Sequence, residues 1–502
     1  MKKIILILVS LSILLSVSGC RKNVGRLVKK NTVETAVSQN TDSQTPVSTT
    51  VKFAADVNDT LNPLFTRSYA AKRIMERVYE PLFATDFEFN TFGVLAEGLT
   101  SASDGMSADV TLKKGVIWHN NTAFNSDDVV YTIRCITDGI TNIENTVLAS
   151  ASRLNEHSVR IYFKRPVINP APMLDFPIIK NLTPTTSDMS HTPMGTGRYR
   201  YSGKVSVDAH MFIPFESYHG SKASDSFDIT VVNSYEKVIQ MFRAGETDAF
   251  FAGEHETITA ANGKTDIVDE YTDKMVYLGI NYNNPIFWGV NTRKAIASII
   301  NKELIVSSIL FGRAKAADSP VHPNSWICEG MDYSQIYSID SADELMKKDG
   351  WVMSNKGYYS RTINDNKQDC IIRILTNNDE TFIKAANLIA NELTSFGINC
   401  SLHTVAQPEY ESTVNAGYYD LFIGEASLGK NMDFSPLVIS PNKFTYVNSQ
   451  LEALISQLSA ENDKENMKQL YQSCLSIIKE DTPFIPLYFK NTSIFYSEAF
   501  GE

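Results

Sequence analysis

The chain has 502 residues, 43% of them hydrophobic and 21% charged, and a single core stops growing near ~250–300 residues, so two or more lobes are expected. Its formal net charge is −11; residues 1–50 hold seven basic and two acidic residues, which leaves −16 on the rest. An acidic body lacks the basic face that nucleic-acid binding requires, and past the N-terminus nothing is apolar for the ~20 residues of a membrane-spanning helix.

Lys2 and Lys3 precede an apolar run from Ile4 to Val17, broken only by Ser10, Ser12 and Ser16. Residues 1–20 therefore read as a secretory signal peptide. Val17-Ser18-Gly19-Cys20 resembles a bacterial lipobox, which implies cleavage before Cys20 and diacylation of its sulfur. Two acyl chains suffice for stable anchoring, and the basic stretch Arg21 to Lys30 favours anionic headgroups. The expected place is the extracytoplasmic side of the cell membrane. Residues 21–50 read as a flexible tether, whose thirty residues reach roughly 30 Å root-mean-square. Five cysteines remain, Cys135, Cys328, Cys370, Cys400 and Cys474. An odd number cannot pair completely, and none has metal-ligand spacing.

Along the body, Val51 to Ala55 reads as a strand and Arg67 to Tyr79 as a helix, with Ile74 and Val78 on one face. Ala108 to Lys113 and Ser158 to Phe163 alternate as strands. Gly195-Thr196-Gly197 is a tight turn. Asp228 to Val232 is a strand followed by a helix through Arg243, and Met275 to Ile280 is another strand. Thr292–Ile300 and Lys302–Phe311 are helices, the second stopped by Gly312. Ser341 with Glu344 fits a capping box, and Gly350 closes that helix. Cys370–Leu375, Thr381–Phe396 and Ile398–Val405 form a β-α-β unit, with Ile383, Ala386, Ala390 and Leu393 as the helix stripe and Gly397 as its stop. Parallel pairing of that unit could bring Cys370 and Cys400 close. Helices near Gln450–Ser459 and Lys464–Lys479 precede a strand at Phe484–Phe489. The class is α/β without a 20–50-residue repeat.

Several segments, in order, resemble the family-5 solute-binding proteins of ABC importers, the oligopeptide, dipeptide and nickel group. They are Thr60-Leu61-Asn62-Pro63-Leu64, Tyr79-Glu80-Pro81-Leu82-Phe83 and Leu95-Ala96-Glu97-Gly98-Leu99. The fullest runs from Leu112-Lys113-Lys114-Gly115-Val116 through Trp118-His119-Asn120 to Phe124-Asn125-Ser126-Asp127-Asp128-Val129, with Asn121 where the family usually has Gly. Pro193-Met194-Gly195-Thr196-Gly197-Arg198-Tyr199 follows, with Arg198 in place of Pro. Then come Tyr277 to Asn281 with Arg293-Lys294-Ala295, Asp349-Gly350-Trp351, Glu480-Asp481-Thr482-Pro483 and Ile485-Pro486-Leu487-Tyr488. The match spans residues 51–490.

The resemblance implies a periplasmic-binding-protein-like type II fold, two lobes joined by a hinge plus an extra small domain. Lobe I would combine 51–65, 195–275 and 480–502, the extra domain 66–194, and lobe II 276–479. The ligand would lie between the lobes and be buried by closure. Cleft residues should sit beside the hinge crossings, which points to Asn62, Phe65, Asn281 and Tyr488. The loop Gly424 to Phe434 departs from the family pattern, in which an Asp pairs with a peptide's ammonium. Here that position is Leu428, so either Glu425, the better candidate, or Asp433 supplies the counter-charge, with Ser427 beside them, or the ligand lacks a free amino terminus. Glu425 is equally readable as a solvated loop carboxylate.

Gly263-Lys264-Thr265 lacks the first Gly of a phosphate loop, because Ile258 stands there. Ser234 and Lys237 have the spacing of penicillin-interacting enzymes without their partner motifs. Glu254-His255-Glu256 lacks a second His at i+4. Trp288, Trp326 and Trp351 could stack on sugars, though core packing is the commoner fate. The expectation is a monomeric, non-enzymatic, lipid-anchored receptor without cofactor or metal. It would deliver a small ligand, a peptide foremost, to an ABC permease and its ATPase. A nickel chelate or oligosaccharide on the same fold, or a secreted hydrolase, are the alternatives.

Overall fold

The computed structural model of the protein describes residues 50–143, 147–185, 192–253, 265–333, 337–363 and 365–497. The expected signal peptide, Cys20 and the tether up to residue 49 lie outside them, as do Glu254-His255-Glu256, Ile258, Gly263 and Lys264.

Among the described residues, eleven strands share one sheet. In one half, Thr50–Asp56 runs parallel to Ser226–Val232, which continues antiparallel into Ala209–Pro214 and Tyr199–Lys204. In the other half, Ile371–Thr376 lies parallel to Asn399–Thr404 and to Leu421–Ser427. Two strands run through both halves, Thr265–Ile280 and Phe484–Ser497, antiparallel to each other. At ~3.3 Å per residue the longer one spans ~50 Å. Their register slips between Tyr271 and Met275 and again between Val276 and Tyr277. Such bulges bend a strand and sharpen its twist. At the slip, Thr272 Oγ1 donates to the Lys490 carbonyl (2.7 Å) and accepts from Lys274 N (3.2 Å).

Only the apolar ends of these crossing strands, Met275–Ile280 and Phe484–Phe489, read as strands in the sequence. The stretch Thr265–Lys274 carries five charged residues. It extends because it pairs with Asn491–Ser497, whose first three residues are polar yet buried.

A separate four-stranded antiparallel sheet, in the order Ala96–Ser101, Ser107–Leu112, Ser158–Phe163, Leu148–Asn155, is packed by helix Ser126–Thr137. Its core includes Leu82, Val110, Trp118, Ile133, Ile161 and Phe176. The fullest sequence motif has a direct structural reason here. Asn125 and Asp128 form a reciprocal capping box, and Asp128 also accepts from Trp118 Nε1 (3.1 Å) and Asn181 N (2.8 Å). Asn121 has φ 65°, the left-handed region that Asn, like Gly, tolerates.

Another core gathers Phe53, Leu64, Ile74, Val78, Phe227, Phe251 and Ile494. Helix Tyr69–Met75 packs into it, capped by Ser68 Oγ accepting from Ala71 N (3.1 Å). This helix is shorter than the expected Arg67–Tyr79, because the chain unwinds through turns before Pro81. Two further clusters, around Ile296, Ile374 and Leu393 and around Tyr277, Phe422 and Phe444, pack the two faces of the other half. Helix Glu380–Phe396 buries Phe382, Ala385, Ala386, Ile389, Ala390, Leu393 and Phe396. Ile383, expected in the stripe, lies half-buried at its edge. Gly397 ends the helix at φ 107°. The cap expected at Ser341 is at Ser338, which accepts from Ser341 N (3.1 Å) and starts the helix at Ile339. Cys400 pairs with Ile372, and both Cys370 and Cys400 are free thiols.

The turn Gly195–Gly197 is stitched over the end of the first helix. Gly197 N donates to Val78 O (2.9 Å) and Tyr199 N to Arg77 O (3.2 Å). His119 accepts from Gly195 N at Nδ1 (3.2 Å) and donates from Nε2 to Gly197 O (2.9 Å). A Cβ on Gly195 would sit 1.7 Å from the Val78 carbonyl oxygen. Gly195→Ala is therefore expected to cost about 1–3 kcal/mol, the range for forcing atoms into a packed site. Urea unfolding reads it as a lower midpoint, and an unchanged midpoint refutes this account of the turn.

Candidate ligand-binding cleft

Where the crossing strands slip register, a cavity of about 330 Å³ opens. The segment 69–80 supplies Tyr69, Arg73, Glu76, Arg77 and Glu80 to its wall. Their three- and four-residue spacing reads in the sequence as one charged helix face, but the helix ends at Met75, and Arg77 and Glu80 project from the turns that follow it. The crossing strands add Glu270, Tyr271, Thr272, Asp273 and Thr492. A loop adds Asp86, Phe87, Phe89 and Phe92, and Asp175, Arg198, Tyr218 and Lys430 complete the ring of polar groups.

Most of these charges are engaged with one another. Arg73 bridges Glu76 (2.6 Å) and the buried Glu270 (2.7 Å). Burial works against its charge, but the two carboxylates outweigh it and hold the guanidinium well above its ordinary value. Lys430 pairs with Asp175, and the same balance raises its ammonium. Glu80 accepts from Tyr218 OH (2.8 Å) and pairs with His219 Nε2 (2.8 Å). Asp273 accepts from Ser427 Oγ (2.7 Å) and Gly429 N (2.8 Å). Arg77 differs: burial lowers its value, and the attraction of Tyr199 and Glu76 does not restore it.

One side of the cleft is clamped to the other. Phe89, at φ 61°, inserts into the core cluster that holds Tyr277 and Phe422. The tip of its loop is preformed by Asp86, whose Oδ1 accepts from Glu88 N (2.9 Å) and Asn90 N (2.8 Å). Trp326 N donates to Glu88 O (3.0 Å) and Lys464 Nζ to Asn90 Oδ1 (2.9 Å). Arg165 pairs with Asp433 (2.8 Å), and Asn431 Nδ2 donates to Ile168 O (2.6 Å). Beneath this clamp His322 is fully buried, its ring 5.0 Å from Phe89, 4.6 Å from Tyr271 and 4.9 Å from Phe489. Its Nδ1 accepts from Asn324 N (3.1 Å), and its Nε2 has no hydrogen-bond partner among the described residues.

The residues named from the sequence take other places around this cavity. Asn62 is buried in a turn, its Oδ1 accepting from Leu64 N (3.1 Å), and Phe65 lies in the core beside Leu64. Asn281 Nδ2 donates to Gly417 O (3.1 Å) and Tyr419 O (2.6 Å), at the end of its strand away from the register slip. Tyr488 is buried, and its hydroxyl has no hydrogen-bond partner among the described residues. Glu425 is paired with Lys490. Ser427 reaches the wall through Asp273, and Asp433 is held by Arg165. Trp351 is buried and donates to Thr292 Oγ1 (2.9 Å), whereas Trp288 is exposed. Ser234 Oγ caps a helix by accepting from Lys237 N (3.3 Å), so that pair is helix geometry.

Residues 91–442 match the bacterial extracellular solute-binding proteins, family 5. The chain belongs to this family. Its members are extracytoplasmic and hand small ligands to ABC permeases. The chain is 24% identical over 465 residues to the glutathione-binding protein GsiB of Salmonella typhimurium, covering 86% of this chain and 85% of that one. It superposes on a nickel ABC transporter protein from Bacillus halodurans with a TM-score of 0.73 at 18% identity, covering 90% and 95% of the two chains. For the oligopeptide-binding protein AppA of Bacillus subtilis, bound to a nonapeptide, the TM-score is 0.54 at 21% identity, covering 90% and 94%. These likenesses confirm the type II periplasmic-binding-protein-like fold expected from the ordered motifs.

The His322 box makes a pH prediction. Burial, and then Lys315, lower the imidazole from 6.5 to about 3. Above pH 6.5 the ring is neutral folded and unfolded, so it leaves stability unchanged. As pH falls from 6.5 towards 3 only the unfolded chain takes the proton, and stability drops by about 1.4 kcal/mol per pH unit. His322→Phe keeps a ring and removes the titration, so its urea midpoint should fall less steeply than the wild type's between pH 6.5 and 4. Parallel curves would refute the assignment.

Proposed function

We propose that this protein is a lipid-anchored receptor that captures a short peptide in the cleft at the crossing strands and presents it to an ABC permease. It acts as a binder and not as an enzyme. The observation that carries the reading is the cavity itself, walled beside the register slip by groups of both charge signs and by aromatic rings, with Lys430 reaching it from the other half. A peptide has two charged ends and apolar side chains, which such a wall suits. The cavity lies at the small end of the ~300–1,000 Å³ typical of ligand sites, which favours two or three residues.

The relatives support the class of ligand without fixing it, since GsiB is named for glutathione and AppA holds a nonapeptide. Capture would follow from closure about the crossing strands, with the Phe89 loop and the Arg165–Asp433 and Lys430–Asp175 pairs joining the halves. A closed clamp restricts escape and so lowers the off-rate.

Native mass spectrometry of freshly purified protein tests the ligand. Short peptides should appear as retained adducts and rebind by calorimetry after removal. A retained metal chelate or oligosaccharide, or cleavage of added peptides, overturns the reading. The anchor is tested separately. Wild-type protein should fractionate with membranes and carry an acylated N-terminal cysteine, whereas Cys20→Ser should lose both; a membrane-bound, unacylated wild type rules the anchor out.

A further inference from the structure

The cleft wall carries four cations, Arg73, Arg77, Arg198 and Lys430, and six carboxylates, Glu76, Glu80, Asp86, Asp175, Glu270 and Asp273. Their partners separate them. Both oxygens of Glu76 and both of Glu270 accept from Arg73. Asp175 is taken by Lys430, and Glu80 by Tyr218 and His219. Asp86 accepts from backbone N–H groups of its own loop, and Asp273 from Ser427 Oγ and Gly429 N across the sheet. Arg198 lies over the Tyr218 ring at 5.9 Å.

Arg77 is held in place without being satisfied. Its guanidinium lies 5.2 Å from the centre of the Phe53 ring, and Nη1 donates to the Arg73 carbonyl at 3.3 Å. Its own carbonyl is tied to Tyr199 N, which fixes the segment it projects from. A guanidinium has five N–H donors, and among the described residues no carboxylate forms an ion pair with this one. Glu76 attracts it from a distance, but the oxygens of Glu76 are spent on Arg73. Arg73 and Lys430, which have partner carboxylates, are raised, whereas Arg77 is lowered by burial. A half-buried cation facing a guest-sized cavity gains most from an anion supplied by that guest, because planar guanidinium and carboxylate meet through two parallel hydrogen bonds.

We infer that Arg77 is the anion-recognition residue of the cleft and that the captured peptide presents its terminal carboxylate to this guanidinium. The inference rests on the cleft being the peptide site and adds which end of the peptide is read and by what. The remaining carboxylates are committed to protein partners, so discrimination falls on the carboxyl end.

Two pooled libraries of di- and tripeptides, free of Asp and Glu, test this by calorimetry. They are identical except that one ends in a carboxylate and the other in an amide. Wild-type protein should prefer the acids by ~10-fold or more, the scale of a desolvated charge-assisted pair. Arg77→Met should bind acids and amides alike, and Arg77→Lys should keep part of the preference, since it keeps the charge and loses the fork. Equal binding of acids and amides by wild type, or a preference that survives Arg77→Met, overturns the role of Arg77 and leaves the peptide reading standing. Failure of both libraries to bind wild type overturns the peptide reading and this inference with it. Urea midpoints of the two variants, compared with wild type, separate lost recognition from lost folding.

Discussion

Thr265–Ile280 and Phe484–Ser497 are hydrogen-bonded to each other on both sides of a register slip, and everything else is arranged around that pairing. One end of each strand completes the half that contains Thr50–Asp56 and Ser226–Val232. The other end completes the half that contains Ile371–Thr376 and Leu421–Ser427. The slip breaks the ladder where the two strands pass from one half to the other, and a bulge there favours a local bend. Because the ladder resumes on each side, each half stays rigid. The cavity lies at this joint, where the residues bulged out of the ladder place Tyr271, Thr272 and Asp273 on its wall.

Around that joint the polar groups divide into those that hold the protein and those left over for a guest. The Arg73 bridge to Glu76 and Glu270 fastens the first helix to a crossing strand, and removing either side would strand a charge away from water. Glu80, Asp86 and Asp273 are likewise spent on shaping their own surroundings. This makes the wall preorganised: its charges already have fixed positions and need not be ordered when a solute arrives. The clamp at Phe89 couples the same wall to the opposite half, since one loop both lines the cavity and fills a core position across it.

Much of the fold was readable from the chain. The β-α-β unit around Glu380–Phe396 follows from an apolar stripe and Gly397, and the Asn125–Asp128 box follows from side-chain chemistry three residues apart. Asn121 is a local substitution with a local reason. The cavity wall was less readable. Arg73, Glu76, Arg77 and Glu80 have the spacing of a charged helix face, which in isolation reads as solvated surface, although the helix itself ends at Met75. Their meeting with Glu270 crosses nearly two hundred residues of sequence, a separation at which no spacing rule operates.

The amino-acid sequence by itself determined the α/β class, the Gly397 helix stop, the tight Gly195–Gly197 turn and the family, because each of these is encoded in neighbouring residues or in motifs whose order survives drift. Tertiary structure alone decided which charges neutralise one another, that polar segments such as Lys490–Ser493 become buried strand, and that His322 sits neutral under Phe89. Pairing, burial and desolvation are properties of groups brought together from distant parts of the chain, and their energies are undefined until the surrounding protein has taken the place of water.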